Sequence, residues 1–438
     1  MFIFKILACP PTCPPKPWRR RKLVCVGAAV ILLVNLPCGI PLCGNFTFGE
    51  IIPLGEQAYA KSNCSPEGIP NQLRALAMQG MDAIYAVHLD EAEKQFKQLS
   101  AEYPLHPFGH FGEAMTKWAR FEYEHEESNP QLDKEYLELT DKAIKVGWDW
   151  VDDHPCDAHA YMALGGMYGL RARLALMQHK WIRAYIDGRK AIKNMRHSLE
   201  IDPELYDAYL GLGMYEYYAG TLPGVIRILA KLLVSGNAKK GIDYLMICKE
   251  KGFFNATAAE LLLIEFFTQP GSPYANPPLA VKWSKELRRK FSYHPMLHFV
   301  EIVSLFEDKQ YQETIKQAFE YLKYVKEKKP LYKEVYVPRA LLAIATSHLA
   351  QGELEKSLEY FMKGTETMKE NEHPNRWAVW AYVRAGNVMD LTGQREKAVE
   401  HYKKALSYKD EWGFTDYIEE YLSRPYTAKE LPGALPPP

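Results

Sequence analysis

Between residues 73 and 412 one order of side chains keeps returning: a small residue, a second in a turn, then alanine and an aromatic. The cleanest instance runs through Tyr382, Gly386, Gly393, Ala398, Tyr402 and Ala405. Apolar residues on both sides of Gly393 recur at helical spacing, so the unit is two helices joined by a tight turn. Small residues are needed where two helix backbones approach closely, and Gly386 and Ala398 are expected to face one another. Tyr402 fills the gap toward the next unit. Helix pairs this short cannot bury their apolar faces alone, so neighbouring units must stack.

The same register returns at Leu76, Gly80, Ala92, Phe96, Leu99 and Pro104, and at Leu341, Ala345, Gly352, Ser357, Phe361 and Gly364. First-helix patterns stand at Tyr161, Leu164, Gly165 and Tyr168 and at Tyr209, Leu212 and Gly213; Tyr311, Thr314, Ala318 and Tyr321 mark a worn copy. Long alternations of β-branched residues are absent. The spacing resembles the tetratricopeptide repeat, a helix-turn-helix unit of about 34 residues. The resemblance covers about four fifths of the chain, in about seven or eight copies. It implies an all-α fold, a right-handed α-solenoid of helix-turn-helix repeats with helical inserts.

Two copies depart from the pattern. Gly165 to Pro203 runs 38 residues where about 24 are expected, enough to lengthen both helices of that pair. Gly213 to Gly241 runs 28 residues where about 12 are expected, which leaves an insert. Within it Pro223 offers a first helical position, and Val225, Ile226, Ile228, Leu229, Leu232, Leu233 and Val234 precede Gly236. Such a helix either plugs the concave side or presents an apolar face to a partner or a bilayer.

The N-terminus is laid out for export. A basic tail, residues 1–22, ends in Arg19, Arg20, Arg21 and Lys22. Residues 23–43 are uncharged and long enough to span a bilayer, as a signal or anchor segment. A linker, 44–70, precedes the solenoid at 71–424, and 425–438 form a proline-rich tail. The basic side stays in the cytoplasm, so the body is expected on the extracytoplasmic face, anchored by its N-terminus. Cleavage and release is the alternative, and lipidation at Cys43 a further one. Asn45, Asn63 and Asn255 head glycosylation sequons that matter only in a eukaryotic secretory route. Six of the eight cysteines lie within the first 64 residues, which leaves Cys156 and Cys248 for the body. The body is therefore expected to stand on its own core, without a disulfide framework.

Composition sets broad limits. Hydrophobic residues make up 47% and charged residues 25%, which excludes a mainly disordered chain and a polytopic membrane protein. The 54 basic and 54 acidic residues cancel, so no global cationic field draws nucleic acid, which is not an expected partner. Nucleotide-binding glycine loops, metalloprotease and serine-hydrolase motifs are missing, and neither catalysis nor a cofactor is expected.

Weaker candidates remain. His154, Cys156 and His159 in "DDHPCDAH" offer metal-ligating types at close spacing. Against a metal site, Pro155 breaks one helix and Asp157 caps the next. The acidic run Glu122 to Glu127 and the basic run Lys323 to Lys333 fit solvated helix ends, and Trp148 and Trp150 fit inter-helix packing. By the family's geometry, the concave groove is lined by Asp207, Leu210, Met214 and Tyr217; by Arg339, Leu342, Thr346 and Leu349; and by Trp380, Val383, Asn387 and Asp390. Co-chaperones of the family clamp a C-terminal carboxylate with a lysine and an asparagine; here Asn387 is present but Val383 stands in the lysine's place. The expectation is a non-catalytic scaffold or adaptor binding a protein or peptide partner. The alternative is an exported carbohydrate- or lipid-binding protein that uses an aromatic concave face.

Overall fold

Several helices in this chain start at a capping side chain or a first-turn proline, and some stop just before a residue with a left-handed backbone. The computed structural model describes residues 64–124, 130–178, 180–221, 236–368, 374–408 and 413–427. Seventeen α-helices occur among them, and no strand occurs among the described residues. They run as eight pairs and a terminal cap. The first pairs are α1 (Asn71–Tyr85) with α2 (Leu89–Glu102), α3 (Pro107–Glu124) with α4 (Pro130–Asp153), and α5 (Ala158–Met177) with α6 (Trp181–Ile201). In the middle stand α7 (Tyr209–Thr221) with α8 (Ala238–Lys251), and α9 (Ala256–Phe267) with α10 (Pro277–Lys290). The last pairs are α11 (Pro295–Glu307) with α12 (Tyr311–Lys326), α13 (Val337–Ala350) with α14 (Leu354–Thr365), and α15 (Arg376–Leu391) with α16 (Arg395–Leu406). Helix α17 (Thr415–Ser423) closes the array. Each helix packs on its chain neighbours, and first helices also stack on one another, α1 on α3, α3 on α5, α11 on α13 and α13 on α15. That is a solenoid.

Caps explain the boundaries. Asp157 accepts the Ala160 N–H at 2.9 Å and starts α5; Asn237 and Asn375 start α8 and α15 in the same way. At the other ends of α13 and α15, Gly352 and Gly393 take φ of +75°. Beyond them, Glu353 N–H reaches the His348 carbonyl and Gln394 N–H the Met389 carbonyl, at 2.9 and 2.8 Å. This closing turn needs a left-handed residue, which glycine adopts without steric cost.

Packing inside a pair is small against large. A Cβ on Gly80 would stand 2.5 Å from the Phe96 ring, and one on Gly386 would stand 2.5 Å from the Tyr402 ring. Gly386 thus meets Tyr402, while the expected partner Ala398 is buried nearby. In the irregular pairs Gly165 meets Met195 and Gly213 meets Leu245. These partners lie 30 and 32 residues apart, against 16 in the regular pairs. The difference matches the extra residues: α5 and α6 have grown to 20 and 21 residues, and α7 and α8 are separated by the insert.

One expectation about the cysteines is corrected. Cys64 and Cys156 form a disulfide, with Cα atoms 5.5 Å apart. The stretch before α1 runs back along the α4–α5 turn, where Glu67 N–H reaches the Cys156 carbonyl at 3.0 Å. Residues distant in sequence thereby become neighbours. Cys248 is free and buried. The expected basic tail, the 23–43 segment, residues 44–63 of the linker, the apolar insert and most of the C-terminal tail lie outside the described residues. Among the described residues no helix is long and apolar enough to cross a membrane.

The array curls back on itself. The Tyr85 ring lies 6.3 Å from Phe291, Arg74 sits 5.4 Å above Phe253, and Phe108 stands edge-on to Phe254 at 5.6 Å. The first pair therefore contacts the middle of the chain.

Gly386→Ala should lower stability by about 1–3 kcal/mol, because Tyr402 is hydrogen-bonded to Asn387 and Asp390 and cannot yield. That loss exceeds the gain of about 1 kcal/mol that alanine brings to a helix. Urea unfolding measures it, and an unshifted midpoint would mean the pairing is wrong. Cys64→Ser and Cys156→Ser should each cost about 2–4 kcal/mol, since the bridge spans 92 residues. The double variant should be no worse than either single one.

Candidate functional site

Most of the residues expected to line a concave groove are inside packed layers. Asp207 is buried: its carboxylate accepts the N–H groups of Phe253, Phe254 and Asn255 at 3.0, 2.8 and 2.7 Å. It holds the turn before α9. Burial pushes its carboxyl above the usual range, against the pull of those three donors. Tyr217 stacks on Phe266 at 3.5 Å and donates to Gln269 at 2.8 Å. Leu210 and Met214 are half-buried against the same cluster.

The later groove positions are tighter still. Arg339 is 2% exposed, with its guanidinium 4.0 Å above Tyr336 and 5.9 Å from Trp377, and Leu342, Thr346 and Leu349 further along the helix are buried. Trp380, 2% exposed, packs on Phe414 and Tyr417 ahead of and within α17. Val383 is buried. Asn387 is buried, accepting from Arg384 and donating to the Tyr402 hydroxyl, both at 3.0 Å. Asp390 accepts from Arg395, from the Tyr402 hydroxyl at 2.8 Å and from Tyr426 N–H at 2.9 Å. The expectation of an open groove at these positions is corrected. Bulky side chains on the first helices meet each other, and α17 covers the last of them. Asn387, occupied with Tyr402, is not placed as a carboxylate clamp.

The other candidates settle into structural roles. Asp157 caps α5 and also accepts from Trp150 Nε1 at 2.9 Å, while His106 Nε2 stands 3.4 Å away. Burial raises its carboxyl, but these partners more than offset that and hold it below the usual range. His154 stacks on Trp150 and pairs with Glu67 at 2.9 Å, and Cys156 is in the disulfide. Among the described residues no cluster of His, Cys, Asp and Glu is close enough to hold a metal ion. Trp148 donates to the Tyr168 hydroxyl at 3.0 Å. The side chains of Glu122 to Glu127 lie outside the described residues.

An opening lies elsewhere. The α1–α2 turn and the segment before α13 face each other across a cleft of about 500 Å3. Val87, His88, Asp90 and Glu91 form one wall, Leu331, Lys333 and Tyr336 the other, with Pro295 and Arg120 between them. Arg120 is fixed by ion pairs to Asp90 and, at 3.1 Å, to Glu93. Lys323 and Lys329 pair with Glu327, so the basic run is largely a solvated helix end, yet its last residues turn into the cleft. Both walls carry a non-glycine residue in the left-handed region, Val87 at φ 58° and Leu331 at φ 68°. Sequence spacing did not reveal this site, because its walls come from stretches more than 200 residues apart. The one local signal was Val87, which stands where α13 and α15 end in glycine.

Residues 336–411 match the family model for the tetratricopeptide repeat. That segment carries tetratricopeptide repeats. No curated protein matches the chain. Among solved structures, the human IFIT1 dimer with PPP-AAAA aligns at 14% identity over 82% of this chain and 86% of its own, with a TM-score of 0.42. Cut9, in the APC/C hetero-tetramer Cut9-Hcn1, aligns at 16% identity over 81% of this chain and 63% of its own, at 0.39. The P58(IPK) TPR domain aligns at 15% identity over 82% and 98%, at 0.21. At such identities and scores, what those proteins bind is not carried over to this repeat array.

Proposed function

We propose that this chain is a non-catalytic scaffold or adaptor that holds an extended stretch of a partner protein in the cleft between α1–α2 and α11–α13. The cleft carries the proposal: it stays open while the inner wall of the solenoid is filled. Val87 and Leu331 offer apolar surface, and His88, Glu91 and Lys333 offer polar groups of both signs. A mixed lining of this volume suits a few residues of peptide. The carbohydrate or lipid alternative needed an exposed aromatic platform, and Trp377, Trp380 and Tyr217 are buried.

We place the body outside the cytoplasm, held to a membrane through residues 23–43. The basic residues before that apolar run support this reading. So does the Cys64–Cys156 bridge, because disulfides persist in oxidising compartments.

A photo-reactive residue at Leu331 or at Lys333, activated in intact cells, should cross-link the same protein from both positions. Lys333→Glu should weaken capture from Leu331 by about tenfold. Recovery of nucleic acid instead of protein, or an equal yield from exposed Lys363 on α14, would overturn the assignment of the cleft. The anchor has its own measurement. Full-length chain should resist carbonate extraction, whereas a truncation beginning at Lys61 should be released; a full-length chain extracted at its uncut mass would end that reading.

A further inference from the structure

Arg339 stands one side chain behind the α13 wall of the cleft. Its guanidinium lies 4.0 Å above the ring of Tyr336, and its Nη1 donates to Met296 Sδ at 2.9 Å. Tyr336 lines the cleft, and Met296 follows Pro295, which lines it too. Phe299 approaches the guanidinium at 5.5 Å. Arg339 makes no ion pair among the described residues, and its Nε is buried without a hydrogen-bond partner. Other arginines inside the array are treated differently. Arg171 pairs with Asp187 and Asp141, Arg288 pairs with Glu301 and Glu320, and Arg384 donates to Asn387. Aromatic faces attract a cation but accept no strong hydrogen bond, and a thioether sulfur is a weak acceptor. A buried charge is costly unless an opposite charge meets it. Two further features add positive charge to this wall. Lys333 is exposed and makes no ion pair among the described residues. Helix α13 begins at Val337, directly after Tyr336, so the positive end of its dipole lies here, with no side chain capping it.

We propose that this wall receives an acidic side chain of the partner segment, an inference that rests on the cleft being the peptide site. A carboxylate set against Lys333 and Tyr336 supplies the counter-charge that Arg339 lacks. It acts across a single ring, where water screens little. The opposite wall fixes the rest of the chemistry. Asp90 is held by Arg120, whereas Glu91 is exposed and makes no ion pair among the described residues. Glu91 therefore repels a carboxylate and attracts a cation. An extended segment with an acidic residue toward α13 and a basic residue toward α1–α2 satisfies both walls. A free chain end brings its carboxylate alone, so the acid is assigned to a side chain within the segment.

The test offers the full-length chain, in mild detergent, a random heptapeptide library acetylated at the N-terminus and attached to beads through the C-terminus. Neither end of such a peptide carries a charge. Sequences whose capture is lost in Leu331→Gln are the cleft binders. Among them an aspartate or glutamate should stand at one position at least about fivefold above its library frequency, with a lysine or arginine to one side of it. The acidic preference should disappear in Arg339→Met, which keeps an unbranched side chain in the core. Lys333 is exposed, so Lys333→Met leaves the core alone and should reduce the preference at least about twofold. Glu91→Gln should remove the basic residue from the selected sequences and leave the acidic one. Cleft binders without an acidic preference, or with one that Lys333→Met or a folded Arg339→Met leaves intact, would overturn the inference and spare the cleft. So would capture confined to a second library with free C-termini, which would mark a site for a chain end. A library from which Leu331→Gln removes nothing would end the cleft reading itself, and the inference with it.

Discussion

Everything in this array depends on one contact: a side chain of nearly no size on a first helix, set against a large one on its partner. Where Gly386 meets Tyr402 and Gly80 meets Phe96, the backbones come close enough for the rest of both helices to interlock. A methyl group at either glycine would intrude on a ring that has nowhere to go. The contact also fixes the phase of each pair. Because it is local, the chain between its two halves can lengthen freely, provided the large residue returns to the glycine. That is why 30 residues separate Gly165 from Met195 without disturbing the order of the solenoid.

Phase fixed in this way decides what becomes of the inner wall. Stacked first helices bring Phe299, Arg339 and Trp377 together, and Phe414 and Tyr417 cover Trp380. At the last pair the polar groups caught inside are paired. Asn387, Tyr402, Asp390 and Arg395 form a continuous chain that ends on the backbone of Tyr426 and Leu422, locking the last pair to the segment that follows α17. Burial and the neighbouring Asp390 carboxylate hold the Tyr402 phenol above its ordinary range, so it stays a donor at all physiological pH values. A wall so filled has little left to offer a partner. The opening that remains among the described residues lies where two distant pairs approach.

The repeats were legible because their determinants are local. Gly386, Gly393 and Tyr402 fall at fixed separations, and even the irregular pairs declared their extra length. The Asp157 cap was legible for the same reason, since a cap acts within three residues. Closure was not legible. Whether Tyr85 reaches Phe291, or Cys64 reaches Cys156, depends on small rotations summed over several pairs, and no spacing records that sum. The groove residues failed on the same point: Asp207 lies in the turn ahead of α7, and the side chains facing several of the others belong to other repeats.

The cleft keeps a conformational cost that the glycine turns after α13 and α15 avoid. At the end of α1, His88 N–H reaches the Ala83 carbonyl and Val87 N–H the Ile84 carbonyl, the bonding pattern that ends α13 and α15. There the left-handed position is Gly352 or Gly393; here it is a β-branched valine. A residue with a Cβ in that region costs about 1–2 kcal/mol. The turn's own hydrogen bonds, available equally to glycine, give valine no advantage. What valine adds is its side chain, half-buried against the first core and forming a wall of the cleft. Leu331 stands in the same conformation on the opposite wall. Tyr293, Lys309 and Lys328 hold the same backbone region outside the cleft lining, so the strain does not mark the cleft by itself; at Val87 and Leu331 it sets the shape of both walls.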